Sequence, residues 1–277
     1  MPSTPEPARP QPVRRRLVGL DALRGVALFG ILVVNLPFQA LDFARVLDLH
    51  EGSSVNRFFA GWTTMMFESN FVALFSLLFG AGLILQWRNI EEAREGQFKR
   101  TYLKRLAWLG LAGLAHGVFL FEGDILLTYA LFALPLLMAR RWSAQRLAWI
   151  SLLPLGIAVL GNALIASFPE GGLGDIAEAN YAHLEASAFE FIAWRAESYF
   201  GWSFVFAMLA FNWRVLACFF LGAALCKSGF FEERGEKMQR AMVRWALPLG
   251  LMGEGAALWI AHQSPSLGPL LSAAGGA

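Results

Sequence analysis

Charged residues are scarce in this chain of 277 residues: they make up 16%, where an average soluble domain has roughly 25%. Hydrophobic residues make up 56%, against roughly 45–50% in soluble domains, and the mean hydropathy is +0.48. This composition argues against a soluble protein and indicates a membrane protein. The net charge is only +2 and the basic residues are spread along the chain, so no nucleic-acid partner is expected.

Cysteine is also scarce, and the common catalytic motifs are missing. The two cysteines, Cys218 and Cys226, lie eight residues apart in one apolar run, which is too few for a disulfide scaffold and predicts core thiols. The chain contains no Walker-type glycine loop, no paired-cysteine metal motif and no G-x-S-x-G elbow. Nothing therefore favours an ATPase, a zinc enzyme or a serine hydrolase, and no metal is expected.

Long apolar runs are abundant. Seven of them approach the roughly 20 residues that a helix needs to cross the hydrocarbon core, and they cover residues 17–37, 62–86, 104–121, 124–139, 147–167, 202–226 and 243–261. They predict an all-α, polytopic membrane helix bundle of about seven transmembrane helices over residues 17–261. Residues 1–16 are rich in proline and are predicted to be a disordered tail, and residues 262–277 form a C-terminal tail.

The distribution of Lys and Arg predicts the orientation of the bundle. Eighteen of them fall in the N-terminal tail and in the loops after the second, fourth and sixth runs. The opposite loops hold only Arg45, Arg57 and Arg195. Because cytoplasmic loops carry the excess of Lys and Arg, the N-terminus is predicted to be cytoplasmic.

Three polar residues interrupt the first apolar run. Asp21 and Arg24 lie near its cytoplasmic end, and Asn35 follows eleven residues after Arg24, roughly 16 Å further along a helix. All three share one stripe, which is expected to face other helices. The spacing of Asp21 and Arg24 suits an ion pair. Either the pair lies at the interface with Arg24 extended towards water, or Arg24 binds an anion such as the phosphates of a nucleotide-like donor.

Other polar groups converge on the outer half of the predicted bundle. Of the four histidines, only His116 falls inside a predicted span. An ionisable residue at membrane depth is a functional candidate. A neutral imidazole beside carboxylates can act as a general base, and the alternative is a structural hydrogen bond between helices. Asp124 is placed to cap the fourth helix. The remaining members of this group are Asn35, His50, Glu68, Asn70 and Glu122.

Two further patterns have structural interpretations. Arg214 and Glu254 lie midway along the sixth and seventh runs, and they predict a buried ion pair or the gate of a transporter. Ser76 and Gly80, in "FSLLFGAGL", have the spacing of small residues at a close helix contact.

Four motifs in order carry a family resemblance: "LDALRGVALFGILVVN", "FVALFSLLFGAGL", "GLAHGVFLFEGDILLTYAL" and "FFLGAALCKSGFF". Over about residues 16 to 235 the chain resembles the YeiB-like bacterial inner-membrane proteins, the domain of unknown function 418. That family looks similar to the transmembrane acyltransferase superfamily, which includes the heparan-glucosaminide acetyltransferases. Family members usually continue for several more helices, so truncation is one interpretation of the length of this chain.

The resemblance implies a function and a set of site residues. The acetyltransferases of that superfamily move an acyl group from cytosolic acyl-CoA to a sugar on the far side of the membrane. Their first helix begins with Asp-x-x-Arg-Gly and carries an Asn further on. The corresponding residues here are Asp21, Arg24 and Asn35. Their catalytic His follows that Asn by eleven residues, where this chain has Val46. His50 or His116 is then the candidate base, and Glu122 or Asp124 is the candidate that orients it.

The predicted function is therefore that of a multi-pass bacterial inner-membrane acyltransferase. Its donor is acyl-CoA such as acetyl-CoA, bound by Arg24 and Asp21, and its acceptor is an extracytoplasmic sugar or lipid head group. Its environment is the lipid bilayer, and a homo-oligomer is compatible with the sequence. A transporter that uses Arg214 and Glu254 is the first alternative, and a non-catalytic scaffold is the second.

Overall fold

The protein is helical throughout the part of the chain that its computed structural model describes. That part comprises residues 18–40, 69–93, 97–121, 123–165, 187–203, 212–246, 248–250 and 252–253. The α-helices are α1 (Val18–Ala40), α2 (Ser69–Ala93), α3 (Phe98–Phe119), α4 (Leu126–Ala139), α5 (Ala144–Ile165), α6 (Ala188–Ser198), α7 (Asn212–Ser228) and α8 (Glu236–Ala241). A π-helical turn, Tyr199–Ser203, follows α6 and is kinked at Gly201.

Two helices in the described residues are long and apolar enough to cross a membrane. They are α2, over Asn70–Ile90, and α5, over Ala144–Asn162. Helix α7 gives a third candidate if it is joined to the helical segment Glu233–Gly250, which bends away from it by 108°. Helix α4 is apolar but has only 14 residues, fewer than the roughly 20 that a span needs. These features are compatible with a membrane protein.

Helix α7 forms the centre of the bundle. It packs most extensively on α2 and α5, and it also contacts α4. Helix α3 packs on α4, and α1 packs on α2. The buried centre is aliphatic and aromatic, and its largest side chains include Leu78, Ile84, Tyr129, Leu136 and Phe219. The side chains that point away from it include many exposed apolar groups, as expected for helices whose outer faces meet lipid rather than water.

Two glycines let α2 and α7 cross at close range. A Cβ atom at Gly80 would overlap the carbonyl oxygen of Phe219, and a Cβ atom at Gly222 would overlap the carbonyl oxygen of Leu77. The two backbones therefore touch directly at this crossing. The close helix contact that the spacing of Ser76 and Gly80 predicted is confirmed.

The polar groups near this crossing are satisfied internally. Ser76 is fully buried and donates to the Val72 carbonyl at 2.7 Å. That leaves the Tyr129 hydroxyl as the donor in its 2.6 Å hydrogen bond with Ser76 Oγ. Cys226 is buried, Cys218 is partly buried and both thiols are free, which agrees with the predicted core thiols.

Candidate functional site

Helix α3 carries a cation near its start and a histidine near its end. Arg105 and His116 lie eleven residues apart, which is about 16 Å along the helix axis. His116 belongs to a group of polar residues at the carboxyl end of α3, which we call the His116 site. Arg105 lines a cavity near the amino end of α3, which we call the arginine cavity.

In the His116 site, the imidazole is paired with a buried carboxylate. His116 Nδ1 lies 3.0 Å from Asp124 Oδ1, across the turn that joins α3 to α4. The side chain of Asp124 is 0% exposed, whereas that of His116 is 35% exposed. An ionised carboxylate only accepts hydrogen bonds, so in the form with Asp124 ionised and the ring neutral this contact requires the ring proton on Nδ1. The Nε2 atom then carries the free lone pair, as a general base requires.

The second carboxylate oxygen of Asp124 is held by two donors. The backbone N–H of Leu127, in the first turn of α4, donates to Asp124 Oδ2 at 2.9 Å. The Tyr199 hydroxyl donates to the same oxygen at 3.4 Å. With His116, the carboxylate therefore accepts from three donors, which fixes its orientation. The bond to Leu127 satisfies a backbone N–H in the first turn of α4, as expected of Asp124, although the N-cap residue itself is Ile125, whose side chain makes no capping hydrogen bond.

Two glycines of the segment "GLAHG" make room for this arrangement. A Cβ atom at Gly113 would collide with the backbone nitrogen of Leu127 and lie 2.9 Å from Asp124 Oδ2. A Cβ atom at Gly117 would come within 2.5 Å of the Tyr199 ring. The glycines thus let the start of α4 and the aromatic ring approach the face of α3 that carries His116. Their positions flanking His116 are a signal that sequence reasoning did not use.

Tyr199 is a site residue that the sequence did not reveal. It lies on the π-helical turn after α6 and is only 6% exposed. Burial and the adjacent Asp124 carboxylate raise the pKa of Tyr199 to about 12, so the hydroxyl remains a donor at neutral pH. Arg195 of α6 fixes the same segment to α3, because its Nη2 donates to the Leu120 carbonyl at 2.9 Å. No spacing or motif links these residues to His116 in the sequence.

At the other end of α3, Arg24 reaches from α1 towards α2. Its Nη1 lies 3.3 Å from Asp21 Oδ1, and its Nη2 donates to the Leu78 carbonyl at 3.2 Å. Gly82 makes room for the guanidinium, since a Cβ atom there would collide with Nη2. Arg24 is therefore paired with Asp21, as the spacing predicted, and is also directed inwards towards α2.

The guanidinium of Arg24 lines a cavity of about 630 Å³ between α1, α2 and α3. A second guanidinium, that of Arg105, lines the same cavity and donates to Gln86 Oε1 at 2.6 Å. The rest of the wall is largely apolar, and it consists of Phe75, Phe79, Gly82, Tyr102, Leu106, Trp108 and Leu109. Two guanidinium groups beside an apolar wall can bind a phosphate and an attached organic group. From the sequence, Arg105 is only one of the basic residues that predict the orientation of the bundle in the membrane.

The remaining predicted site residues are placed as follows. Asn35 lies half-buried on α1 and, among the described residues, makes no hydrogen bond to His116 or Asp124. Arg214 is half-buried on α7. Within the described ranges, no three His, Cys, Asp or Glu side chains are grouped closely enough to hold a metal ion. The predicted residues His50, Glu68, Glu122 and Glu254 lie outside the described residues.

Comparison with known proteins finds two relatives of moderate similarity. The chain is 34% identical over 140 residues to the uncharacterized protein YxaH of Bacillus subtilis (strain 168), a match that covers 48% of this chain and 35% of YxaH. It is 36% identical over 122 residues to the uncharacterized protein YeiB of Escherichia coli (strain K12), which covers 43% of this chain and 30% of YeiB. No protein-family profile matches, and no solved structure matches. The chain matches about a third of the length of these curated relatives, and their similarity supports its resemblance to the YeiB-like proteins.

Proposed function

We propose that the protein is a membrane acyltransferase that moves an acyl group from cytosolic acyl-CoA to an acceptor on the outer side of a bacterial inner membrane. The acceptor is a hydroxyl or amine of a sugar or lipid head group. In this proposal the chain forms a multi-pass bundle of about seven spans, and its N-terminus is cytoplasmic. The family resemblance suggests the reaction class, and the two polar sites supply residues that suit it.

The observation that carries the proposal is the 3.0 Å contact between His116 Nδ1 and the buried Asp124 carboxylate. With Nδ1 held as a donor, Nε2 takes the proton from the acceptor hydroxyl or amine as that group attacks the thioester carbonyl. The carbon–sulfur bond then breaks, and the departing CoA thiolate recovers the proton. Asp124 stabilises the imidazolium that forms in between, as the carboxylate of a catalytic triad does.

In this proposal, the acyl donor binds in the arginine cavity. Arg24 and Arg105 present two guanidinium groups to one space, which suits the phosphates of acyl-CoA. Both residues lie at the end of the bundle where Lys and Arg accumulate in the sequence, which is the proposed cytosolic side.

Helix geometry connects the donor end with His116. Gln86 and Arg105 are hydrogen-bonded, so these positions of α2 and α3 lie at the same level. The cavity wall on α2 extends eleven residues from Gln86 back to Phe75, and His116 lies eleven residues beyond Arg105 on α3. Because a helix rises about 1.5 Å per residue, Phe75 lies near the level of His116, whereas the lining on α3 ends at Leu109, about 10 Å before His116. A donor bound at the arginines would extend towards the proposed base.

The other predicted residues have supporting roles in this proposal. Asp21 orients Arg24 through their 3.3 Å ion pair. Asn35, which lies at the outer half of α1, would orient the acyl carbonyl or the acceptor. His50 is the alternative base, and Glu122 is the alternative to Asp124.

The first test is binding of acetyl-CoA to the purified protein in nanodiscs. Arg24→Ala and Arg105→Ala are each expected to weaken binding by about 10- to 150-fold, because a hydrogen bond to a charged group contributes roughly 1.5–3 kcal/mol. Lys104→Ala is the matched control, since Lys104 is an exposed cation beside Arg105 that does not line the cavity. His116→Ala is expected to leave binding unchanged. If the folded wild-type protein does not bind acetyl-CoA or any longer acyl-CoA, the proposal fails, and transport through Arg214 and Glu254 becomes the leading hypothesis.

A further inference from the structure

The chain turns sharply at the end of α7. Gly229, with φ 80°, has the left-handed conformation that commonly ends a helix, and the Phe230 N–H donates back to the Leu225 carbonyl at 3.0 Å. The Gln239 side chain of α8 donates to the Phe230 carbonyl and ties α8 to this turn. Beyond the turn, the helical segment Glu233–Gly250, here called the bent segment, bends by 108° away from α7. It therefore runs across the end of α7 instead of continuing it.

The bent segment begins at the same end of the bundle as the arginine cavity. Glu232 Oε1, in the turn, lies 3.7 Å from Arg88 Nη1 on α2. Arg88 is two residues from Gln86, which is hydrogen-bonded to Arg105 of the cavity. In the proposed orientation this end faces the cytosol. Because α7 belongs to a predicted span, a segment at 108° to it lies close to the membrane plane when α7 is upright.

The two sides of the bent segment differ in polarity through α8 and the π-helical turn Met242–Ala246. The apolar side is spaced four and three residues apart and consists of Met238, Met242 and Trp245. The opposite side is cationic and consists of Lys237, Arg240 and Arg244. All six side chains are exposed, so the described part of the chain leaves both sides accessible. A basic amphipathic helix of this kind is typical of a segment that lies on a membrane surface.

We propose that the bent segment lies in the interface of the cytoplasmic leaflet and binds anionic phospholipid, with its apolar side on the acyl chains and its cations among the phosphate groups. Charge complementarity identifies the occupant, because that leaflet has a negative surface. Glu236 pairs with Arg240 at 3.0 Å, and the segment retains an excess of cations. Residues 243–246, which begin the seventh predicted run, then lie at the interface instead of in the hydrocarbon core. Arg24 and His116 belong to other helices, so the lipid site and the proposed reaction are tested separately.

The first experiment measures how fast a membrane-impermeant maleimide labels single introduced cysteines in nanodiscs of equal parts phosphatidylglycerol and phosphatidylcholine. The wild type gives the background from the native Cys218 and Cys226. Met242→Cys is expected to react at least about 10-fold more slowly than Arg240→Cys, because the apolar side must leave the bilayer before its thiol can react.

The second experiment tests the role of charge. Lys237→Glu combined with Arg244→Glu is expected to speed the labelling of Met242→Cys by about 10-fold, because each cation strengthens binding to an anionic surface. In nanodiscs of phosphatidylcholine alone, the charge reversal should change the rate little. Lys99→Glu combined with Lys104→Glu is the matched control, since these two exposed cations lie at the same end of the bundle on α3.

Faster labelling that is confined to the charge-reversed bent segment would support the anionic lipid site. Equal rates for Met242→Cys and Arg240→Cys would overturn the interfacial placement, and slow labelling of both would contradict it in favour of a membrane span. Slow labelling of Met242→Cys that ignores the charge reversal would exclude anionic lipid as the partner. Protection that appears only with two copies in one nanodisc would assign the apolar side to a second copy of the chain instead.

Discussion

Replacing His116 by asparagine is expected to lower the rate of acyl transfer by about 10²–10⁴-fold, the usual contribution of a general base. The reason is that the two ring nitrogens have different roles: Nδ1 donates to Asp124, and Nε2 accepts the proton of the acceptor. An asparagine amide can still donate to Asp124 Oδ1 and so keep the buried carboxylate satisfied. It offers no basic group at the position of Nε2, so the acceptor keeps its proton. The variant should therefore fold and bind the donor normally, while the chemical step is lost.

The measurement is the rate at which label from radioactive acyl-CoA is incorporated into the acceptor fraction of membranes that contain each variant. Ala115→Asn is the matched control, because Ala115 is exposed and adjacent on the same helix. Asp124→Asn is expected to lower the rate as well, since an amide does not fix the proton on Nδ1. Wild-type rates for His116→Asn would remove His116 from the mechanism and leave His50 as the candidate base.

Replacing Gly222 by valine is expected to destabilise the bundle by about 3 kcal/mol or more, at the upper end of the cost of overpacking. The Cβ atom of any other residue would overlap the Leu77 carbonyl oxygen, which belongs to the backbone of α2 and cannot rotate away. Helices α2 and α7 would have to separate, which opens the contact at the centre of the core. Gly80→Val meets the Phe219 carbonyl in the same way and should have a similar effect.

The free energy of unfolding in mixed micelles with increasing denaturing detergent measures this effect. Gly156→Ala in α5 is the matched control, since no atom lies within 4 Å of the Cβ position there. That change should leave stability the same or raise it by roughly 0.5–1 kcal/mol, the usual gain from glycine to alanine within a helix. Equal stability of Gly222→Val and wild type would show that α2 and α7 do not cross as described.

The apolar runs of the sequence overlap α1 to α5 and α7 but do not give their ends, and α6 (Ala188–Ser198) lies outside every run. The third apolar run was predicted over 104–121, and α3 begins earlier, at Phe98. The second was predicted over 62–86, and α2 continues to Ala93. In both cases the helix extends through polar residues such as Arg88 and Arg100. Hydropathy detects the part of a helix that suits hydrocarbon, whereas backbone hydrogen bonds can continue into the polar interface.

Part of the candidate site can be predicted from the sequence. His116 and Asp124 are close in sequence, so a helical hairpin was enough to bring them together. Tyr199 lies 75 residues after Asp124, and only the packing of α6 on α3 joins them. Arg105 has no unusual feature among the many basic residues near it, and its role in the cavity follows from the hydrogen bond to Gln86. Contacts between distant helices are set by packing, which one sequence does not display.

The central claim is that a donor bound at Arg24 and Arg105 on the cytoplasmic side delivers its acyl group through His116 to the outer side. The most direct measurement supplies radioactive acyl-CoA to inverted and right-side-out vesicles from cells that produce the protein, and follows label in their sugar and lipid fractions. Our account predicts label above that of vesicles without the protein only in inverted vesicles, and its loss with His116→Asn and Arg24→Ala. Transfer that is equal in both vesicle orientations, or that persists in these variants, would contradict it.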